Sequence, residues 1–207
     1  MKKRELKEKE MITRIVAIFT LALTLSFVGC NQPVKESPAA AETGSAVVEL
    51  ITAQEVLDAQ HAWAEGVVKI GQTFIDKGDY KAVALRHIDD TYGYDLGPVL
   101  FKPTMAAEKQ FRTDKEGALS YFVAGNADYP EDHGFAIKPW TSVRWETLGI
   151  KIIGNMAITM GNYYFTPANG GAPVKVEYSM AYTKDDKGKL RIILHGSHFP
   201  YAPSKKH

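Results

Sequence analysis

A single cysteine, Cys30, in 207 residues rules out an internal disulfide and leaves no pair of thiolates for a structural zinc. An excess of one charge is missing too. Lysines and arginines number 25 against 24 aspartates and glutamates, a formal charge of +1, so no basic field favours nucleic acid. The one long uncharged run, residues 15–28 (IVAIFTLALTLSFV), makes a helix of ~21 Å at ~1.5 Å per residue, against a ~30 Å hydrocarbon core. It is too short to span a bilayer. No glycine-rich phosphate loop precedes a helix, because Asn169-Gly-Gly171 reads as a hairpin turn, and no nucleophile elbow flanks Ser197. What is present, 45% apolar and 24% charged residues, is the composition of an ordinary globular chain with room for one domain and a real core.

The apolar run follows Lys2, Lys3, Arg4, Lys7, Lys9 and Arg14 and is closed by Gly29-Cys30, the layout of a secretion signal. Phe27-Val28-Gly29-Cys30 resembles the bacterial lipoprotein cleavage box, although leucine is usual where Phe27 stands. That resemblance implies a signal peptide over 1–30, lipidation of Cys30 as the first mature residue, and a membrane anchor in the cell envelope, facing the periplasm. A plain cleaved signal with an incidental cysteine is the alternative. Asn31, in place of aspartate, resembles outer-membrane sorting, and Met11 is an alternative start. Residues 31–50 mix Pro, Ala, Ser, Glu and Gly without apolar period, as a flexible tether does, so the folded domain is expected over 51–203, with a tail at 204–207.

Order begins at Thr52-Ala-Gln-Glu55, a capping box opening a long amphipathic helix through Val56, Ala59, Trp63, Val67, Ile70 and Phe74, with Lys77-Gly78 as its stop. A second helix is predicted from Asp79 to Ile88, with Val83 and His87 on one face. A short strand follows at Val99–Phe101, ended by Pro103. Thr113-Asp-Lys-Glu116 reads as another capping box, starting a helix over 114–124. From Pro139 the period becomes two, and four strands fit: 141–153, 156–166, 174–183 and 190–198. Helices followed by an antiparallel meander define an α+β fold with the sheet wrapped around the helices. Strict alternation in the last strand puts His195 and Ser197 together on one face, with Leu190, Ile192, Leu194, Gly196 and His198 on the other.

The ending "LHGSHFPY" (194–201) is either a plain edge strand or the floor of a pocket. Residues three apart on a strand face opposite sides, so His195 and His198 share a metal only if the chain turns at Gly196. His61, His87 and His133 are scattered, and are read as helix-face or loop residues. The remaining chemistry is a set of neutral hydroxyls and an imidazole, suited to a small polar or anionic guest, with Thr104 and Tyr121 as further wall residues. Taken singly, Thr104 also fits a turn and Tyr121 a core position. Trp140, Trp145, Tyr163, Tyr164, Phe165 and Tyr178 are read as core.

The layout ending in "LRIILHGSHFPY" resembles the cone-shaped, cystatin-like nuclear transport factor 2-like fold and, within it, the calcium/calmodulin-dependent kinase II association domain. Four blocks in order, "GPVLFKPTMAAEKQFRTDKEGALSYFVAGN", "GFAIKPWTSVRWE", "AITMGNYYFT" and "KVEYSMAYTKDDKGKLRIILH", resemble the bacterial and cyanobacterial branch of iota-class carbonic anhydrases. The resemblance implies a lyase that hydrates carbon dioxide reversibly to bicarbonate without a required metal, with zinc or manganese left open, and a homodimer formed through the sheet. It maps the family's bicarbonate-binding threonine, tyrosine and serine onto Thr104, Tyr121 and Ser197. The family's ending His-His-Ser-Ser is here His195-Gly196-Ser197-His198, so His198 stands as a further substrate contact if the motif's fourth place is the essential one. His195, beside Ser197 and with an ordinary pKa near ~6.5, is the expected base or proton shuttle. The rival expectation is a non-catalytic binding or assembly lipoprotein of the same fold.

Overall fold

The computed structural model describes residues 50–203, so the expected signal peptide with Cys30, the linker apart from Leu50, and the tail at 204–207 lie outside the described residues. Helix α1 (Ala53–Ile75) starts at the expected box. The Thr52 hydroxyl accepts from the Glu55 N–H at 3.2 Å, and the Glu55 carboxylate accepts from the Thr52 N–H at 2.7 Å. Val56, Trp63, Val67 and Ile70 are its buried stripe. The helix ends one residue earlier than a glycine stop requires. Lys77, not Gly78, takes the left-handed conformation (φ 58°), and the Gly78 N–H closes back on the Thr73 carbonyl at 2.9 Å.

Helix α2 (Tyr80–Thr91) is capped by Asp79, which accepts from the Ala82 N–H, and runs a turn's length past the predicted Ile88 until Tyr92 becomes extended. Strand β1 (Leu100–Lys102) follows. The box predicted at Thr113 is shifted by one: the cap of helix α3 (Lys115–Val123) is Asp114, accepting from the Gly117 N–H at 2.7 Å, while Thr113 is exposed. A carboxylate at that place also faces the positive end of the helix dipole. A 3₁₀ turn (Phe135–Ile137) leads into β2 (Trp140–Ile153), β3 (Met156–Pro167), β4 (Val174–Lys184) and β5 (Leu190–His198).

The sheet order is β1-β5-β4-β3-β2. The meander β2 to β5 is antiparallel, whereas β1 joins β5 in parallel, with Phe101 opposite His195 and Lys102 opposite Gly196. Three register shifts interrupt it, the first at Thr141, between the Trp140–Pro167 and Ser142–Thr166 pairs. Leu148, 80% exposed, is the extra residue between the Thr147–Gly161 and Gly149–Met160 pairs. Between Ala181–Leu194 and Tyr182–Ile192, the extra residue is Ile193. That bulge overturns strict alternation: Ile192 is buried in the core on the same side as His195 and Ser197.

Trp63 anchors the core, packed against Phe122, Phe135, Trp145, Tyr163, Phe165 and His195 with ring centroids 5.6–6.5 Å away. Arg191 ties β5 to the end of α2, donating to the Tyr92 and Asp89 carbonyls and pairing with Asp95 and Asp185. Arg112, in the loop that follows β1 and fully buried, pairs with Asp132 at 2.8 Å.

Candidate active site

A cavity of about 210 Å³ opens between the loop after β1, helix α3, the 3₁₀ turn and strands β3 to β5. That is room for several water molecules. Its polar wall is Thr104, Tyr121, Tyr163, His195 and Ser197; Phe135, Trp140, Phe165 and Val176 make the apolar side, with Lys138 at the wall.

The parallel pairing of β1 with β5 builds the polar end. Pro103, without an N–H, follows the last strand residue, and the chain turns so that Thr104 lies beside Ser197, whose own strand carries on past it. The Thr104 hydroxyl donates to Ser197 Oγ at 2.9 Å across 93 positions of sequence. Ser197 is 3% exposed and Thr104 half-buried. Tyr121 comes from α3, stacked on Phe135 and edge-on to Phe101. Burial pushes its phenol up to about 12, against the pull of the Met105 backbone and the Thr104 hydroxyl. Burial raises Tyr163 as well, while the Ser197 and Thr104 hydroxyls draw it back. All these hydroxyls therefore stay protonated at neutral pH and act as donors and acceptors, not as anions.

His195 faces the cavity, and its surroundings change its role. The ring is stacked on Phe101 and Tyr92 and edge-on to Trp63, and burial pushes its pKa down to about 3. That burial weighs against the expected base or proton shuttle, since an imidazolium there costs about 5 kcal/mol more than in water, at ~1.4 kcal/mol per pKa unit. Instead Nδ1 meets the Tyr92 hydroxyl at 2.8 Å and Nε2 meets the Tyr163 hydroxyl at 3.4 Å.

His198 lies away from the cavity. The strand does not turn at Gly196, so His198 is exposed on the opposite face, does not line the cavity and cannot share an ion with His195. Both departures from the family ending, Gly196 and His198, sit on that outer face, while the first and third places of the motif, His195 and Ser197, face the cavity. Among the described residues no group of three or more His, Cys, Asp or Glu lies close enough to hold a metal ion. His133 is an exposed loop residue. His87 is a helix-face residue as read, and that face is buried, packed against Gly66, where a Cβ would meet its Nδ1 at 2.1 Å.

Sequence reading placed Tyr163 in the core and missed its part in the cavity wall, and it gave no sign of Tyr92 or Lys138. For Tyr163 a signal existed, since alternation along β3 puts it with Thr159 and Phe165 on the inward face. Tyr92 follows a helix, where no period applies.

An α+β domain with a hydroxyl-lined cavity on the concave side of its sheet defines the class, and three comparisons specify it. A family model described as metal-independent carbonic anhydrase matches residues 54–199. The chain belongs to that family. It is 49% identical over 154 residues to the metal-independent carbonic anhydrase of Nostoc sp. (strain PCC 7120 / SAG 25.82 / UTEX 2576), covering 73% of this chain and 75% of the relative. The crystal structure of a cyanobacterial iota-carbonic anhydrase complexed with bicarbonate superposes with a TM-score of 0.72 at 47% identity, covering 74% of this chain and 95% of that one. A nuclear transport factor 2-like superfamily protein from Salmonella enterica is a more distant neighbour, 12% identical with a TM-score of 0.48 over 74% of this chain and 96% of its own.

Proposed function

We propose that this protein hydrates carbon dioxide reversibly to bicarbonate without a metal, in the cavity bounded by Thr104, Tyr121 and Ser197. The observation that carries the reading is the 2.9 Å Thr104–Ser197 hydroxyl pair beside Tyr121 in a cavity large enough for water and carbon dioxide together. Water's oxygen attacks carbon while one C=O electron pair moves onto its oxygen. The attacking water passes a proton to one hydroxyl of the pair, and that pair returns a proton to the developing oxyanion. The product of that step is carbonic acid, which ionises to bicarbonate and a proton as it leaves. Tyr121, protonated throughout, donates to the oxyanion. His195 takes no net proton.

Stopped-flow hydration assays on chelator-treated protein test this: a rate above buffer is expected, and none with or without added zinc or manganese would refute it. The leader supports a lipid-anchored, periplasm-facing location, checked by labelling Cys30 with radioactive palmitate; a labelled Cys30→Ala variant would count against it. A homodimer through the outer face of the sheet is supported by Ile158, Met160 and Ile153, 43–55% exposed on adjoining strands. Light scattering should give twice the mass of the chain, and a Met160→Lys variant should halve it.

A further inference from the structure

A line of four side chains runs from the centre of the core to the cavity, and at one end stands a group that can only donate. The Trp63 indole N–H has no lone pair to offer. It lies 3.1 Å from the Tyr92 hydroxyl oxygen, which must therefore accept. Tyr92 is fully buried, and among the described residues its only other hydrogen-bonding neighbour is His195 Nδ1, at 2.8 Å. If Nδ1 carried a proton, both neighbours would donate into Tyr92 and its own O–H would be buried without an acceptor, at a cost of about 1–3 kcal/mol. The phenol proton thus goes to Nδ1. A neutral ring with a bare Nδ1 carries its proton on Nε2, which faces the Tyr163 oxygen at 3.4 Å, a long contact whose direction is fixed all the same. Tyr163 accepts from the ring, and its own proton is left for the cavity, where the Thr104 and Ser197 hydroxyls stand.

We propose that Trp63 and Tyr92 are positioning residues that hold His195 as the neutral, Nε2-protonated tautomer, and that Tyr163 is thereby a further donor aimed at the substrate oxygen. The second half rests on the carbonic anhydrase reading; the first does not. No charged group takes part. The aromatic cage keeps the imidazole neutral, as its burial-lowered pKa reflects, and the indole end sets the direction of every bond that follows.

Two-bond ¹⁵N–¹H correlation spectra of the full-length chain with labelled histidine test the tautomer directly, His195 being recognised by proton contacts to the stacked Phe101 ring. A bare Nδ1 and a protonated Nε2, unchanged from pH 8 to pH 5, are expected. An Nδ1–H pattern, or a ring that titrates in that range, would overturn the proposal without any variant being needed. Tyr92→Phe removes one oxygen, and the ring should then show mixed tautomers with kcat lowered about tenfold and KM within twofold. An unchanged Nε2–H pattern in that variant would show that Tyr92 does not fix the ring. For Tyr163→Phe, the loss of one preorganised donor predicts a fall in kcat of about a hundredfold, and an unchanged kcat would remove Tyr163 from the mechanism. A protein with the expected tautomer but no hydration activity would uphold the positioning of His195 and overturn the role given to Tyr163.

Discussion

Replacing Ser197 by alanine takes one oxygen from the cavity wall and leaves the strand intact. The Thr104 hydroxyl loses its acceptor, but Thr104 is half-buried at the cavity, where water can take the bond, so the stability cost should stay near ~1 kcal/mol. The cost to catalysis is larger. A single preorganised group at a developing oxyanion is worth about 2.7–4 kcal/mol, or 10²–10³ in kcat. The companion double variant Gly196→His/His198→Ser restores the family ending and should do almost nothing. Both positions face away from the cavity, and a Cβ at 196 would meet only His198 Cε1 at 3.7 Å and the Ser179 carbonyl at 4.0 Å, ordinary contacts. Stopped-flow hydration of both proteins, with circular dichroism to confirm folding, gives the comparison. A Ser197→Ala rate within threefold of the parent, or a tenfold gain from the restored ending, would refute the assignment of the third motif position to the cavity.

Acid should destabilise the fold through its buried histidines. His195 and His87 have pKa values pushed by burial down to about 3 and about 4, so the unfolded chain binds their protons below ~6.5 while the folded one does not. Stability is therefore full above that pH and declines as pH falls, by about 5 kcal/mol from the pair at pH 4.5; urea melts that coincide at pH 7.5 and 5 would disprove it. Gly161→Ala should cost roughly 1–3 kcal/mol, since its Cβ would lie 2.3 Å from the Glu146 carbonyl at the β2 bulge, and a wild-type urea midpoint would contradict that. Asp132→Ala leaves Arg112 buried without its 2.8 Å partner and should cost about 3–5 kcal/mol, measured the same way; a loss under 1 kcal/mol would mean that Glu131, 3.6 Å away, takes over the pair.

What was legible in the sequence is what depends on near neighbours. The Thr52 box, the four meander strands and the shared face of His195 and Ser197 follow from spacing of three or two residues, and the structure keeps them. The second box failed by one residue because Asp114 and Thr113 are both competent caps, and the carboxylate won. The Ile193 bulge, which returns Ile192 to the core, leaves no mark in a sequence whose neighbours there are all apolar. The parallel β1–β5 pairing joins segments 94 positions apart, and no local pattern specifies it. Resemblance to a family brought Thr104, Tyr121 and Ser197 together before geometry did; the role given to His195 came from its strand face and an ordinary pKa, and no local pattern shows the Phe101, Tyr92 and Trp63 rings that pack around it.

Magnitudes decide whether so plain a cavity suffices. Zinc carbonic anhydrases bring water's pKa from ~15.7 to ~7, worth about 12 kcal/mol. Neutral hydroxyls cannot shift a pKa that far, since each contributes only a dipole. Holding water and carbon dioxide in attack geometry supplies about 7–11 kcal/mol, and one preorganised oxyanion donor about 2.7–4. Together these reach the same order without ever making free hydroxide, provided that the donors are oriented before the substrate arrives. The apolar packing meets that condition. Trp63 and Phe101 clamp His195, Phe135 clamps Tyr121, and the β1–β5 ladder sets Thr104 against Ser197, so reorganisation is settled when the chain folds. Loosening that packing should lower kcat before it lowers stability: Phe101→Leu, next to both His195 and Tyr121, should cost about 1–2 kcal/mol in a urea melt yet more than tenfold in hydration rate. A rate loss no larger than the fraction unfolded would mean that the aromatic clamp serves the fold alone.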